Sequence, residues 1–110
     1  MHPSKRKGDA AELEVQALIR DLTGYPARRA LGAGRKDDHG DIHGVPDTVI
    51  QVVNRKDIAA AIREKLPAAE QQRVNARAMF AATFVRLPRG RYIVVQTPEQ
   101  WATMLREALL

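Results

Sequence analysis

Gly40-Asp41-Ile42-His43 and the later run Val49-Ile50-Gln51-Val52-Val53-Asn54-Arg55-Lys56 are the segments whose residue types could do chemistry. An acid entering a short strand, followed by an apolar β-branched strand that ends in polar residues, predicts two adjacent strands whose ends could share one metal ion. Only the first supplies a carboxylate. Gln51 offers an amide oxygen, a neutral donor that attracts a hard cation less than a carboxylate does, and Val53 offers neither charge nor proton. His39 and His43 flank Asp41, but without a third converging pair they read as solvated loop histidines rather than a metal cluster. Two acids also have plain readings. Glu12 is spaced to answer Asp9 in a helix capping box, and Asp41 between Gly40 and Ile42 can be a turn former.

The cations offer a second kind of chemistry. Arg55 and Lys56 could hold backbone phosphate at the end of the strand, with arginine as a two-pronged clamp and lysine as a point charge. Arg28, Arg29, Arg35 and Lys36 lie on the approach to Asp41 and could follow a nucleic-acid backbone across the same side, and Lys5, Arg6 and Lys7 form a basic N-terminal arm over residues 1–8. The net charge of +5 and pI near 10.1 favour a polyanionic partner, although the excess is spread over several clusters. Only one Trp, two Tyr and two Phe are present, too few for a base-stacking platform. Gly32 and Gly34 lack the spacing and following helix of a phosphate-cradling loop, so no nucleotide cofactor is expected.

Composition narrows the setting of these residues. At 110 residues, 45% hydrophobic, the chain fits a single domain. The absence of cysteine excludes disulfides, thiolate metal sites and a thiol nucleophile, which fits a reducing compartment. No apolar run approaches the ~20 residues needed to span a bilayer, and the basic start is not followed by an apolar segment, so no membrane anchor or secretory signal is expected.

The elements that would position these residues follow from periodicity. Asp9 is expected to open a first helix whose Ala11, Val15, Leu18, Ile19 and Leu22 recur at helical spacing to about Thr23-Gly24. Strands follow at Tyr25 to Leu31, at Asp41-Ile42 and at Val49 to Val53, the last β-branched and flanked by polar residues as a covered central strand would be. Asp57 caps a second helix to about Arg77, within which Pro67 should kink the helix or start a new turn. Met79 to Val85 and Arg91 to Gln96 read as strands around Leu87-Pro88-Arg89-Gly90, and Thr97-Pro98-Glu99-Gln100 starts a last helix whose Trp101, Met104, Leu105 and Leu109 should close the core. The order is α-β-β-β-α-β-β-α.

That order, with Lys7-Gly8-Asp9-Ala10-Ala11-Glu12, Gly40-Asp41-Ile42, Val49 to Lys56 and Tyr92-Ile93-Val94-Val95-Gln96-Thr97, resembles the Holliday-junction-resolvase-like proteins of actinobacterial phages, within the PD-(D/E)xK nuclease superfamily. The likeness runs from about residue 7 to about residue 106. It implies a restriction-endonuclease-like α/β core, a central mixed sheet flanked by helices. It also implies a magnesium site built from an acid on the first helix, an Asp opening the second strand and Glu-x-Lys on the third. Glu12 and Asp41 match, Gln51 stands where the strand acid is expected, and Val53 stands where the lysine is expected. Losing a proton-handling group of that kind costs about 100 to 10,000-fold in rate.

The expectation is therefore a vestigial frame of Glu12, Asp41, Gln51 and Val53 with no working catalytic residue and no cofactor. The protein would be a catalytically degenerate nuclease-fold phage protein with a DNA-associated or virion-structural role, for example as an oligomeric particle or connector component, a homo-oligomer in the host cytoplasm or the virion, partnered by DNA, other phage proteins or both. The competing expectation is an active magnesium-dependent resolvase-like endodeoxyribonuclease, with Asp41, Gln51 and Glu12 on the metal and Lys56 replacing the missing lysine. Lys56 follows Val53 by three, so a regular strand would point the two to opposite faces. The frame predicts that Asp41 and Gln51 meet at adjoining strand ends opposite Glu12, with Val53 pointing into the same hollow.

Overall fold

The computed structural model describes residues 3–30 and 40–110, with side chains from Gly8 onward. The expected element order is observed. Helix α1 (Pro3–Thr23) leads to the short strands β1 (Arg28–Arg29) and β2 (Ile42–His43), then to β3 (Thr48–Val53), helix α2 (Ile58–Ala76), the hairpin strands β4 (Phe80–Leu87) and β5 (Arg91–Val95), and helix α3 (Pro98–Ala108). The five strands form one mixed sheet in sequential order. β3 and β4 are parallel and every other neighbouring pair is antiparallel. The parallel pair requires a crossover, and α2 supplies it.

The period of two along β3 divides the core. Val15 and Ile19 of α1 pack with Ala27, Ile42 and Ile50, and Val52, Ala82, Phe84 and Tyr92 lie against that cluster. Val53 and Val85 pack with Ala61 of α2 and against Ile58, Ile62 and Val95. Even-numbered β3 residues thus face α1 and odd-numbered ones face α2. None of the described helices is long and apolar enough to cross a membrane.

Two glycines are fixed by close approach. A Cβ on Gly40 (φ +93) would lie 2.6 Å from the Ile50 carbonyl oxygen, and one on Gly44 (φ +92) would lie 2.2 Å from that of Pro26. Only glycine lets β2 approach its neighbours in these conformations.

Several expectations are corrected. α1 begins at Pro3, so residues 3–8 are the first turns of a helix rather than a separate arm, and Asp9 is an interior helical residue rather than a cap. The strand expected over Tyr25 to Leu31 shortens to Arg28–Arg29 among the described residues. α2 runs through Pro67 without being divided into two helices. Arg63, whose carbonyl loses its partner to the proline, lies with Pro67 on the exposed side, where water can replace the bond. His43 belongs to a strand rather than a solvated loop. Trp101, expected in the core, is 59% exposed, because α3 faces the sheet with Gln100 instead of with its apolar stripe.

Candidate functional site

Charged residues around β1 and β2 cluster against α1. Arg29 turns toward α1, where its Nη2 donates to Asp9 Oδ1 at 2.6 Å and its Nε donates to Glu12 Oε1 at 3.1 Å. Its backbone N–H donates to Gln16 Oε1 at 2.9 Å, fixing β1 against the helix. Asp9 and Glu12 are three apart on a helix, so their side chains share a face and one guanidinium can serve both. The pair expected to cap a helix end instead grips an arginine from a strand.

Asp41 lies next to this cluster. Its backbone N–H donates to the Ile50 carbonyl at 2.7 Å, and its Oδ2 accepts from the Val52 N–H at 2.8 Å. One carboxylate oxygen therefore extends the β2–β3 ladder past the last paired residue of β2. The charge on Asp41 also reaches Glu12. Burial first, and then the Asp41 charge, hold the Glu12 carboxyl above its ordinary range, while Arg29 pulls it the other way.

The other half of the expected frame lies elsewhere. Gln51 is buried, and its Nε2 donates to Gln72 Oε1 on α2. Val53 is buried in the apolar cluster beneath α2. The structure brings Glu12 and Asp41 together on the α1 side and separates them from Gln51 and Val53. The expectation that Val53 points into a hollow shared with Glu12 fails, because adjacent β residues project to opposite faces of a sheet covered on both sides.

Lys56 sits exposed in the turn after β3 and forms no ion pair among the described residues. Arg55 is engaged, with Nη1 donating to Glu64 Oε2 at 2.7 Å. Arg28 and Arg29 do not line one surface. Arg29 pairs in register with Ile42 on the α1 side, while Arg28 pairs with His43 and borders a cleft with Gly44, Val45, Asp47 and Thr48 on the other. Arg35, Lys36 and His39 lie outside the described residues, as do the side chains of Lys5, Arg6 and Lys7.

Sequence reasoning missed three participants. The sequence offers Arg29 as a phosphate contact, whereas it is the cation between Asp9 and Glu12, for which their spacing on a helix face is a usable signal. Gln72 carries no local signal, since only the packing of α2 selects it. Tyr92, whose hydroxyl donates to Glu14 Oε1 with Arg86 Nε alongside at 2.9 Å, ties β4 and β5 to α1. Burial first, and then Glu14, hold the Tyr92 hydroxyl above its usual range.

Among the described residues no three His, Asp or Glu side chains converge as a metal site would need. The donor set does not fit magnesium, because Glu12 is committed to Arg29, Asp41 gives an oxygen to a backbone amide, and Gln51 turns to the opposite face. No family model, curated protein or solved structure matches this chain.

Proposed function

We propose that this chain is a nuclease-like α/β domain, of the restriction-endonuclease-like kind that the phage-protein resemblance implies, which associates with DNA without cutting it. The observation that carries the reading is the Arg29 guanidinium bridging Asp9 and Glu12. A fixed organic cation there satisfies the helix acids beside Asp41, so a divalent ion would have to displace it and would find no further carboxylate from β3, whose Gln51 turns to the opposite face. Support for a polyanionic partner is the net charge of +5, together with Arg28 and Lys56 exposed on the surface. The phage setting of the resemblance suggests the host cytoplasm or the virion for such a protein.

The test is a cleavage and binding assay on the full chain. Magnesium with four-way-junction or duplex DNA should give no cleavage, while binding should weaken steeply as salt rises, through counterion release. Magnesium-dependent cutting that Asp41→Ala abolishes would overturn the reading in favour of an active endonuclease. Absence of both cutting and salt-sensitive binding would remove DNA as the partner and leave a protein-contacting role.

A further inference from the structure

The edge of the sheet formed by β5 and α3 carries a run of exposed apolar residues. Trp101, Met104, Leu105 and Leu109 are 59%, 41%, 42% and 77% exposed, and Ile93 and Val94 of β5 are 40% and 48% exposed. The helix residues fall at i, i+3, i+4 and i+8, which is one stripe. An apolar helix face normally lies on its own sheet, and here a polar residue has taken that position. Gln100 Oε1 accepts from the Ala81 N–H at 3.0 Å and Gln100 Nε2 donates to the Met79 carbonyl at 3.3 Å. The Gln100 side chain therefore continues the hydrogen bonding of β4 where β5 has ended at Val95, which sets α3 on the same edge as β5 and turns its apolar stripe outward.

β5 is also an open edge. It pairs with β4 on one side, from Leu87↔Arg91 to Thr83↔Val95, and lies last in the sheet. Edge strands are ordinarily blunted by proline, a bulge or inward charge. Arg91-Tyr92-Ile93-Val94-Val95 has none of these in its interior, and its one charge stands at its first residue.

We propose that this edge is the contact between two copies of the chain, related by a two-fold axis that pairs β5 antiparallel with its copy and sets the two α3 stripes against the joined sheet. The strand edge favours this occupant because a backbone edge is complementary to its own copy turned through a two-fold, Arg91 then meeting the far end of the facing strand rather than its own like charge. Area points the same way. Ile93 and Val94 project to opposite faces of β5, so they flank the joined strands on either side of the sheet rather than extend one patch. Taking about 150 to 250 Å² for a large side chain, the four α3 residues leave on the order of 400 Å² of apolar surface in water. That is a patch of the size that marks a contact surface, and pairing the two β5 edges adds to it toward the ~800 Å² per partner that a stable interface buries. The inference does not depend on DNA association.

The experiment is analytical ultracentrifugation of the full chain without DNA, combined with emission from Trp101, the chain's one tryptophan. The unmodified protein should sediment as a dimer of the 12.3 kDa chain, with blue-shifted emission that moves to the red on dilution. Trp101→Glu combined with Leu105→Glu should weaken association at least ~10-fold and leave the far-UV circular dichroism unchanged, because both side chains face water in a single copy. A monomer at high concentration with solvent-exposed emission would overturn the proposal, as would a dimer that survives the double substitution, or open-ended association in place of a closed pair. Should the double variant fail to fold, the dilution-dependent emission of the unmodified chain decides alone.

Discussion

The two faces of β3 carry residues adjacent in sequence into different environments. Under α1, Ile50 and Val52 lie beside a charged assembly of Asp9, Glu12, Arg29 and Asp41. Under α2, Val49, Gln51 and Val53 are all buried, and the polar residue among them meets its need through Gln72. On the α1 side the Asp9, Glu12 and Arg29 side chains stay partly exposed, which tolerates their charges. On the α2 side Gln51 is buried, with its amide paired to a half-buried Gln72. A linear motif spanning both faces therefore cannot act as one site unless the strand is twisted or bulged, and this strand is regular through Val53.

The substitution that tests this difference hardest is Val53→Lys, alone or with Gln51→Glu. If Val53 faced a solvated catalytic hollow, the pair would restore a lysine and an acid and raise cleavage. Under α2 it instead places an ammonium among Val85, Ala61, Ile58 and Ile62. A buried charge without a partner belongs to the severest class of substitutions, and we expect a loss of about 3 to 5 kcal/mol, read from urea unfolding. A lysine variant as stable as the parent, and newly active with magnesium, would erase the distinction between the faces.

How far the sequence foretold this arrangement depends on the range of the signal. Element order and type were legible because they rest on local patterns: helical spacing of Val15 and Ile19, the β-branched run ending at Val53, and the Asp57 and Thr97 caps, whose side chains accept from Ala60 N–H and Gln100 N–H at 3.0 Å. The site was less legible. Which face of β3 meets which helix is decided by the crossover through α2, and alternation along the strand says only that Gln51 and Val53 go together. The capping reading of Asp9 and Glu12 failed because Pro3 can open the helix earlier and because Arg29, distant in sequence, competes for both acids. Trp101 departs from its expected core position because amphipathic spacing shows that a helix has an apolar face without saying what covers it.

A middle-sized effect should come from the buried amide pair. Gln72→Leu removes the acceptor of the Gln51 amide and leaves a buried polar group without that partner, at a cost of about 1 to 3 kcal/mol. Gln51→Leu with Gln72→Leu should recover part of that loss, since replacing both partners by apolar groups removes the unmet demand. Strictly additive losses in this double-mutant cycle would mean that the two amides do not depend on each other, and the α2 face would be wetter than the packing implies.

The smallest effect separates two glutamates on α1. Burial, with the Asp41 charge behind it, raises the Glu12 carboxyl, whereas the Tyr92 hydroxyl and then Arg86 lower that of Glu14. The signs differ accordingly. A raised carboxyl keeps its proton in the folded protein where the unfolded chain has released it, so the stability it contributes is present at low pH and lost as pH rises through the folded value. A lowered carboxyl contributes above the ordinary carboxylate range and loses that contribution as pH falls through its own value. Carbon-detected NMR titration should therefore find the Glu12 midpoint above that of Glu14. Asp41→Asn keeps an oxygen for the Val52 N–H and removes only the charge, so it should bring the Glu12 midpoint down and leave Glu14 where it was. If Glu12 does not respond, the charge on Asp41 does not reach it, and the two acids do not form one electrostatic unit on the α1 side.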